Sequence, residues 1–185
     1  LPGYGVTPFA TGSADCQRNS VVFNSPTKNF NIAGLQIANI ICADKEWYRR
    51  IDRAINIFEV CDVNPFGPLA LEAAYNESED WIDELMPYIA DNYALLKDTF
   101  AKEVPSYEVL KLEGTYLAWV DIRKSGLTAN ALTEKLLREG KVQVNSGVIY
   151  SKNDGEGYIR INLACPRATL QEGLKRIVNV LKACE

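Results

Sequence analysis

The stretch "NSPTKNFNIAG", residues 24–34, lies between the apolar runs "SVVF" and "LQIANIIC". Both neighbours have strand-like length. Between them Lys28 stands in a polar turn, with the hydroxyls of Ser25 and Thr27 close by and Pro26 fixing the backbone. Most lysines lie on solvated helix faces or in charged loops, so one in a short turn between two buried-looking segments raises a question of use. A lysine amine becomes a nucleophile toward an aldehyde when a partly buried site or a neighbouring cation lets it lose its proton near neutral pH. The two hydroxyls suit an anionic phosphate. Read alone, the turn fits a surface lysine as well as a reactive one.

Working outward, "SVVFN" (20–24) and "LQIANIICA" (35–43) are predicted to be strands. The second is almost continuously apolar, the pattern of a strand buried on both faces of a parallel or mixed sheet. Residues 44–60 are predicted helical, with Asp44 as N-cap and Trp47, Ile51, Ile55 and Phe58 on one face. "NPFGP" (64–68) reads as a break and 69–75 as a short helix. Ser78 reads as the cap of a longer helix carrying Trp81, Leu85, Tyr88, Asn92, Leu96 and Phe100 at helical spacing, with a kink at Pro87.

The texture then changes. "YEVLKL" (107–112) and "TYLAWVDI" (115–122) read as two strands and 128–140 as an amphipathic helix ending at Gly140. "KVQVNSG" and "GYIRINLAC" read as short strands around a polar, glycine-rich loop. A last helix bears the stripe Leu170, Leu174, Ile177, Val178 and Leu181. This gives an α/β first part and an α+β second part, with the boundary near residue 78. Two strands and one or two helices cannot cover a doubly buried sheet, so the first part reads as a core cut open: either other chains supply the rest or, the favoured reading, this is the C-terminal piece of a longer protein.

The 185 residues carry a net charge of −4 and no long basic run, which argues against a nucleic-acid partner. No apolar run approaches the roughly 20 residues that span a bilayer, and the start lacks the pattern of a signal peptide. Five scattered cysteines without a CxxC pair argue against a disulfide framework or a zinc site and fit a reducing cytoplasm. The chain has no histidine. Imidazole triads and histidine-based metal sites are therefore excluded within it, leaving Lys, Asp, Glu, Tyr or Cys to move protons.

Three further stretches change the weight of Lys28. "SPTKNFNIAGLQIANII", "EGTYLAWVDIR" (113–123) and "GEGYIRINLACPR" (155–167) follow one another in an order that resembles the pyridoxal-phosphate-dependent class I/II aminotransferase superfamily of fold type I. Within it they look most like the cystathionine β-lyase (C–S lyase, PatB/MalY-like) branch. Complete members are roughly twice as long, and the chain is similar to their C-terminal half.

The resemblance implies a three-layer α/β/α large domain, of which residues 1–78 are the C-terminal part, followed by a small α+β domain over 79–185. It implies pyridoxal 5'-phosphate as cofactor, bound covalently by Lys28, with Ser25 and, less directly, Thr27 donating to its phosphate. Arg160 would clamp the carboxylate of a small amino-acid substrate through its planar fork; the plainer reading is a strand-edge arginine paired with Glu156 or solvent. Gly114 to Tyr116 would line the substrate side, although the Tyr116 ring reads better as core. Gln36 stands where many aminotransferases carry a phosphate-binding arginine, a departure that resembles the lyase branch. The implied activity is β-elimination on sulfur-containing amino acids, with aminotransfer or a regulatory protein of the same fold as alternatives. A full-length cytoplasmic homodimer is implied, and an isolated piece that is inactive.

Overall fold

The computed structural model describes residues 1–184. They fall into two compact units, one of Gly5–Leu85 and one of Leu1–Tyr4 with the described residues from Met86 onward. The division lies inside one helix, α4 (Glu79–Glu103), next to Pro87.

In the first of these units, α1 (Ala14–Arg18) precedes β1 (Val21–Asn24), which pairs antiparallel with β2 (Asn39–Cys42), Val21 opposite Cys42 and Asn24 opposite Asn39. The predicted strand over 35–43 is therefore cut to four residues. Its first part is taken by a single 3-10 turn, Ala33–Leu35, closed by Gln36 in the left-handed region at φ 48°. The expectation of a strand buried on both faces is overturned as well. Ile40 and Ile41 are both exposed, and Phe23 on β1 is 71% exposed. A ribbon of two strands has no second layer to bury either face.

α2 (Lys45–Ile57) starts where predicted, because the Asp44 carboxylate accepts from the Glu46 and Trp47 N–H groups. α3 (Phe66–Glu77) begins earlier than predicted and takes in Gly67 and Pro68. A proline in the first turn has no N–H to leave unbonded, and the Asn64 side chain accepts from the Phe66 and Gly67 N–H groups. Ser78 is not the cap of α4: its hydroxyl donates to the Ala73 carbonyl and closes α3 instead. Only Pro26, Ile37, Gly67 and Ala74 are buried in this unit.

The second unit has a closed core. β3 (Leu117–Asp121), β4 (Asn145–Ser146) and β5 (Tyr158–Asn162) form an antiparallel sheet in the order β3-β5-β4. Period-2 alternation turns Ala118, Val120, Ile159 and Ile161 inward. They pack with Leu96 and Phe100 of α4, Leu132 of α5 (Ala129–Lys135) and the predicted stripe of α6 (Arg167–Lys182), all buried. Asn92 is wholly buried in α4, and its amide donates to the carbonyls of Leu163 and Cys165. Residues 107–112 do not form a full strand. They make one bridge, Val109 to Val120, and their turn is held by the Tyr93 hydroxyl, which donates to the Leu110 carbonyl and accepts from Leu112 N–H.

Candidate functional site

The Lys28 turn is built from its backbone outward. Pro26 is buried, Phe30 N–H donates to the Pro26 carbonyl at 3.0 Å, and Ile32 N–H donates to the Thr27 carbonyl at 3.0 Å. The Ser25 hydroxyl donates to the Ile37 carbonyl at 2.6 Å and accepts from Thr27 N–H at 3.2 Å. Because Ser25 has one proton and gives it to Ile37, the contact between the Ser25 and Thr27 hydroxyls at 2.8 Å takes its proton from Thr27. On the far side of Lys28 the Asn29 carbonyl accepts from the Trp81 indole N–H at 2.8 Å. Asn64 donates to the Leu35 carbonyl and anchors the end of the segment.

Fixed on both sides, Lys28 projects into solvent. Its amine makes no hydrogen bond or ion pair among the described residues. The sequence reading missed Trp81 and Asn64. Trp81 read as one more apolar position on a helix, and nothing local to it signals that its N–H is spent on Asn29. Gln36 is exposed and closes the turn that ends the segment.

Arg160 lies in the other unit, at the centre of β5, with Trp119 and Asn145 directly opposite it on the two neighbouring strands. These three point to the face of the sheet away from the core. The Arg160 guanidinium lies over the Tyr150 ring, 4.2 Å from its centroid. Tyr150 is itself held twice: its ring meets Trp119 edge to face at 5.6 Å and 77°, and its hydroxyl accepts from the Asn145 amide at 3.0 Å. Beside the guanidinium opens a cleft of about 260 Å³ lined by Leu117, Gln143, Val144, Asn145, Arg160 and Asn162. A larger cavity, of about 660 Å³, lies along α6 and holds none of the predicted site residues.

Of the plainer reading of Arg160, the pairing with Glu156 does not form, while the solvent-facing alternative stands. Glu156 accepts from the N–H groups of Ala129 at 2.7 Å and Gly157 at 3.1 Å, so it caps α5 rather than pairing with Arg160. The other four arginines of this unit each sit beside a carboxylate: Arg123 by Asp121, Arg138 by Glu134, Arg167 by Asp91 and Arg176 by Glu172. Arg160 has no such partner among the described residues. Tyr116 is half-buried and packs against the core, as its plainer reading held.

Elsewhere, burial pushes the Cys165 thiol up, and all five cysteines are free thiols. No group of three or more His, Cys, Asp or Glu among the described residues is placed to hold a metal ion. No helix among them is long and apolar enough to cross a membrane.

An open two-stranded ribbon that presents a lysine turn, and an antiparallel sheet that presents an unpaired arginine, are parts of a known architecture. The chain belongs to the class I and II aminotransferase family, whose model matches residues 7–177. It is 37% identical over 177 residues to the cystathionine beta-lyase PatB of Bacillus subtilis (strain 168), a match covering 96% of this chain and 46% of that protein. With the cystathionine beta-lyase of Corynebacterium glutamicum it shares 32% identity, covering 96% and 47%. Among solved structures, cystalysin from Treponema denticola, which contains a pyridoxal 5'-phosphate cofactor, superposes with a TM-score of 0.95 at 30% identity, covering all of this chain and 47% of that one. The fold is thus that of fold-type I enzymes, and the chain spans about half the length of the curated relatives it matches.

Proposed function

We propose that this chain is the C-terminal half of a pyridoxal-phosphate-dependent C–S β-lyase of the cystathionine β-lyase type. Such an enzyme releases pyruvate, ammonia and a thiol from sulfur-containing amino acids. The observation that carries the reading is the similarity to two cystathionine beta-lyases over 96% of the chain, through the stretches that hold Lys28 and Arg160. We read residues 1–78 as the end of the large cofactor domain and 79–185 as the small domain.

The residues present fit the cofactor. Lys28 offers an amine without a partner among the described residues, and two hydroxyls 2.8 Å apart stand one and three residues before it. When bound, pyridoxal phosphate supplies an electron sink for charge developing at the substrate Cα. The Lys28 amine would hold the cofactor covalently and, when free, would serve as the base that takes the Cα proton. Thr27 and Ser25 would orient the phosphate, Thr27 by turning its single proton away from the Ser25 hydroxyl. For Ser25 this means giving up its bond to the Ile37 carbonyl, since it has a single proton to donate. Arg160 receives the substrate α-carboxylate in a two-pronged fork, and Tyr116 supports the strand beside it.

The same reading places the full-length enzyme in the cytoplasm, where five free thiols stay reduced, and makes it a homodimer, as the resemblance implies. An aminotransferase is the second reading, favoured by the family model itself; it differs only after the proton has left Cα. Borohydride reduction of the cofactor-loaded full-length protein, followed by peptide mapping, should leave the pyridoxyl group on Lys28. The label on another lysine overturns the assignment. Pyruvate released from cystathionine separates the lyase from the aminotransferase.

A further inference from the structure

Arg160 poses a problem of physical chemistry that its strand does not solve. A guanidinium on a flexible stem samples many orientations, and a carboxylate is gripped by the fork only when the guanidinium plane is fixed. The common way to fix it is a neighbouring carboxylate, as for the other four arginines of the same unit. That solution also neutralises the charge and occupies the donors. Arg160 instead lies 4.2 Å over the ring of Tyr150, an attraction to the ring's electrons that neutralises no charge and ties up no N–H in an ion pair.

The ring is no loose neighbour. Its edge-to-face contact with Trp119 and its hydrogen bond from Asn145 tie it to the residues opposite Arg160 on both flanking strands. The loop that carries it, 147–157, is closed by backbone contact between Gly147 and Gly155 that leaves no room for a side chain at either position.

We propose that Tyr150 is the positioning residue of Arg160: braced by Trp119 and Asn145, it sets the guanidinium plane without neutralising the charge, so that the fork is free and aimed for a substrate carboxylate. This rests on reading Arg160 as the carboxylate binder. Tyr150 touches no reacting atom and acts only through Arg160.

The test is a double-mutant cycle on the full-length holoenzyme, with kcat and KM for an amino-acid substrate measured beside thermal melting. Tyr150→Leu should raise KM about threefold to thirtyfold, the range that a stacked cation–π contact corresponds to. It should leave kcat and the melting temperature close to wild type. Tyr150→Phe keeps the ring and loses only the Asn145 bond, so it should recover most of that loss. Tyr150→Glu supplies a competing carboxylate and should raise KM further than Tyr150→Leu. In an Arg160→Ala background, Tyr150→Leu should cost nothing more, because the group it positions is gone.

If Arg160→Ala raises KM but Tyr150→Leu does not, or if the two losses simply add, Tyr150 is not a positioning residue and the inference falls alone. If Arg160→Ala itself leaves KM unchanged, the reading of Arg160 falls and takes this inference with it.

Discussion

Arg123 and Arg160 show two uses of a guanidinium within one folded unit. Arg123 gives its donors to Asp121, with its Nε at 3.0 and 2.9 Å from the two carboxylate oxygens and its backbone N–H at 3.0 Å from one of them. The side-chain bonds from Arg123 hold the Asp121 carboxyl below the usual carboxylate range, against the opposing effect of burial. A carboxyl whose pKa is lower folded than unfolded stabilises the fold above the unfolded value. That share is lost as pH falls through the lower, folded value. Asp121→Asn should therefore melt below wild type near neutral pH, with the gap narrowing as the solution is acidified through the range below ordinary carboxylate titration. Melting temperature against pH for the two proteins checks this. A gap that stays constant to the acid end would mean that the charge of Asp121 is not what the arginine stabilises.

At the scale of the element, what was readable depended on where each element finds its partners. The stripe of α6 was readable because Leu170, Leu174, Ile177, Val178 and Leu181 meet a core made by the same chain. The Asp44 cap was readable because capping is decided within one turn. The strand over 35–43 was misread because its apolar run states a demand for burial and not a length. The left-handed Gln36 and the 3-10 turn before it cut the strand to four residues. Of the candidate site, Lys28 and Arg160 stood out by motif, whereas Tyr150, Asn145 and Trp81 did not. Their roles depend on cross-strand register and on contact over tens of residues, which no local pattern carries. The loop 147–157 yields its own prediction. A Cβ on Gly147 would fall inside the contact distance of the Gly155 and Tyr158 carbonyl oxygens, and neither backbone can step aside. Gly147→Ala should destabilise by about 1–3 kcal/mol, the usual range for forced overpacking. Gly173→Ala, in the middle of α6 with nothing near its added methyl, should stabilise by about 0.5–1 kcal/mol. Denaturant midpoints of the two variants should move in opposite directions, and a shift of the same sign would contradict the loop geometry.

At the scale of the whole molecule, the two units differ in how far each completes itself. The one built on α6 buries Phe100, Leu132, Ile159, Leu163 and Leu181 almost wholly. The other buries four residues and leaves Phe23, Ile41, Tyr48, Phe58, Phe66 and Leu69 more than half exposed. A tight cofactor site needs a preorganised cup, since ordering loose groups on binding opposes affinity. The 185-residue chain by itself should therefore bind an apolar fluorescent dye strongly. Titrated with pyridoxal phosphate, it should show no stoichiometric absorbance change, and tight one-to-one binding would place the whole cup within these residues. The unpaired Arg160 carries a consequence of another kind. On a chain of net charge −4 it is a cation with no carboxylate partner among the described residues, open to small anions. Sulfate and phosphate carry oxygens that suit the same two-pronged grip as a carboxylate. If Arg160 binds a carboxylate as proposed, the choice of buffer becomes part of the chemistry: sulfate would compete for the same seat, while a bulky zwitterionic buffer would leave it open.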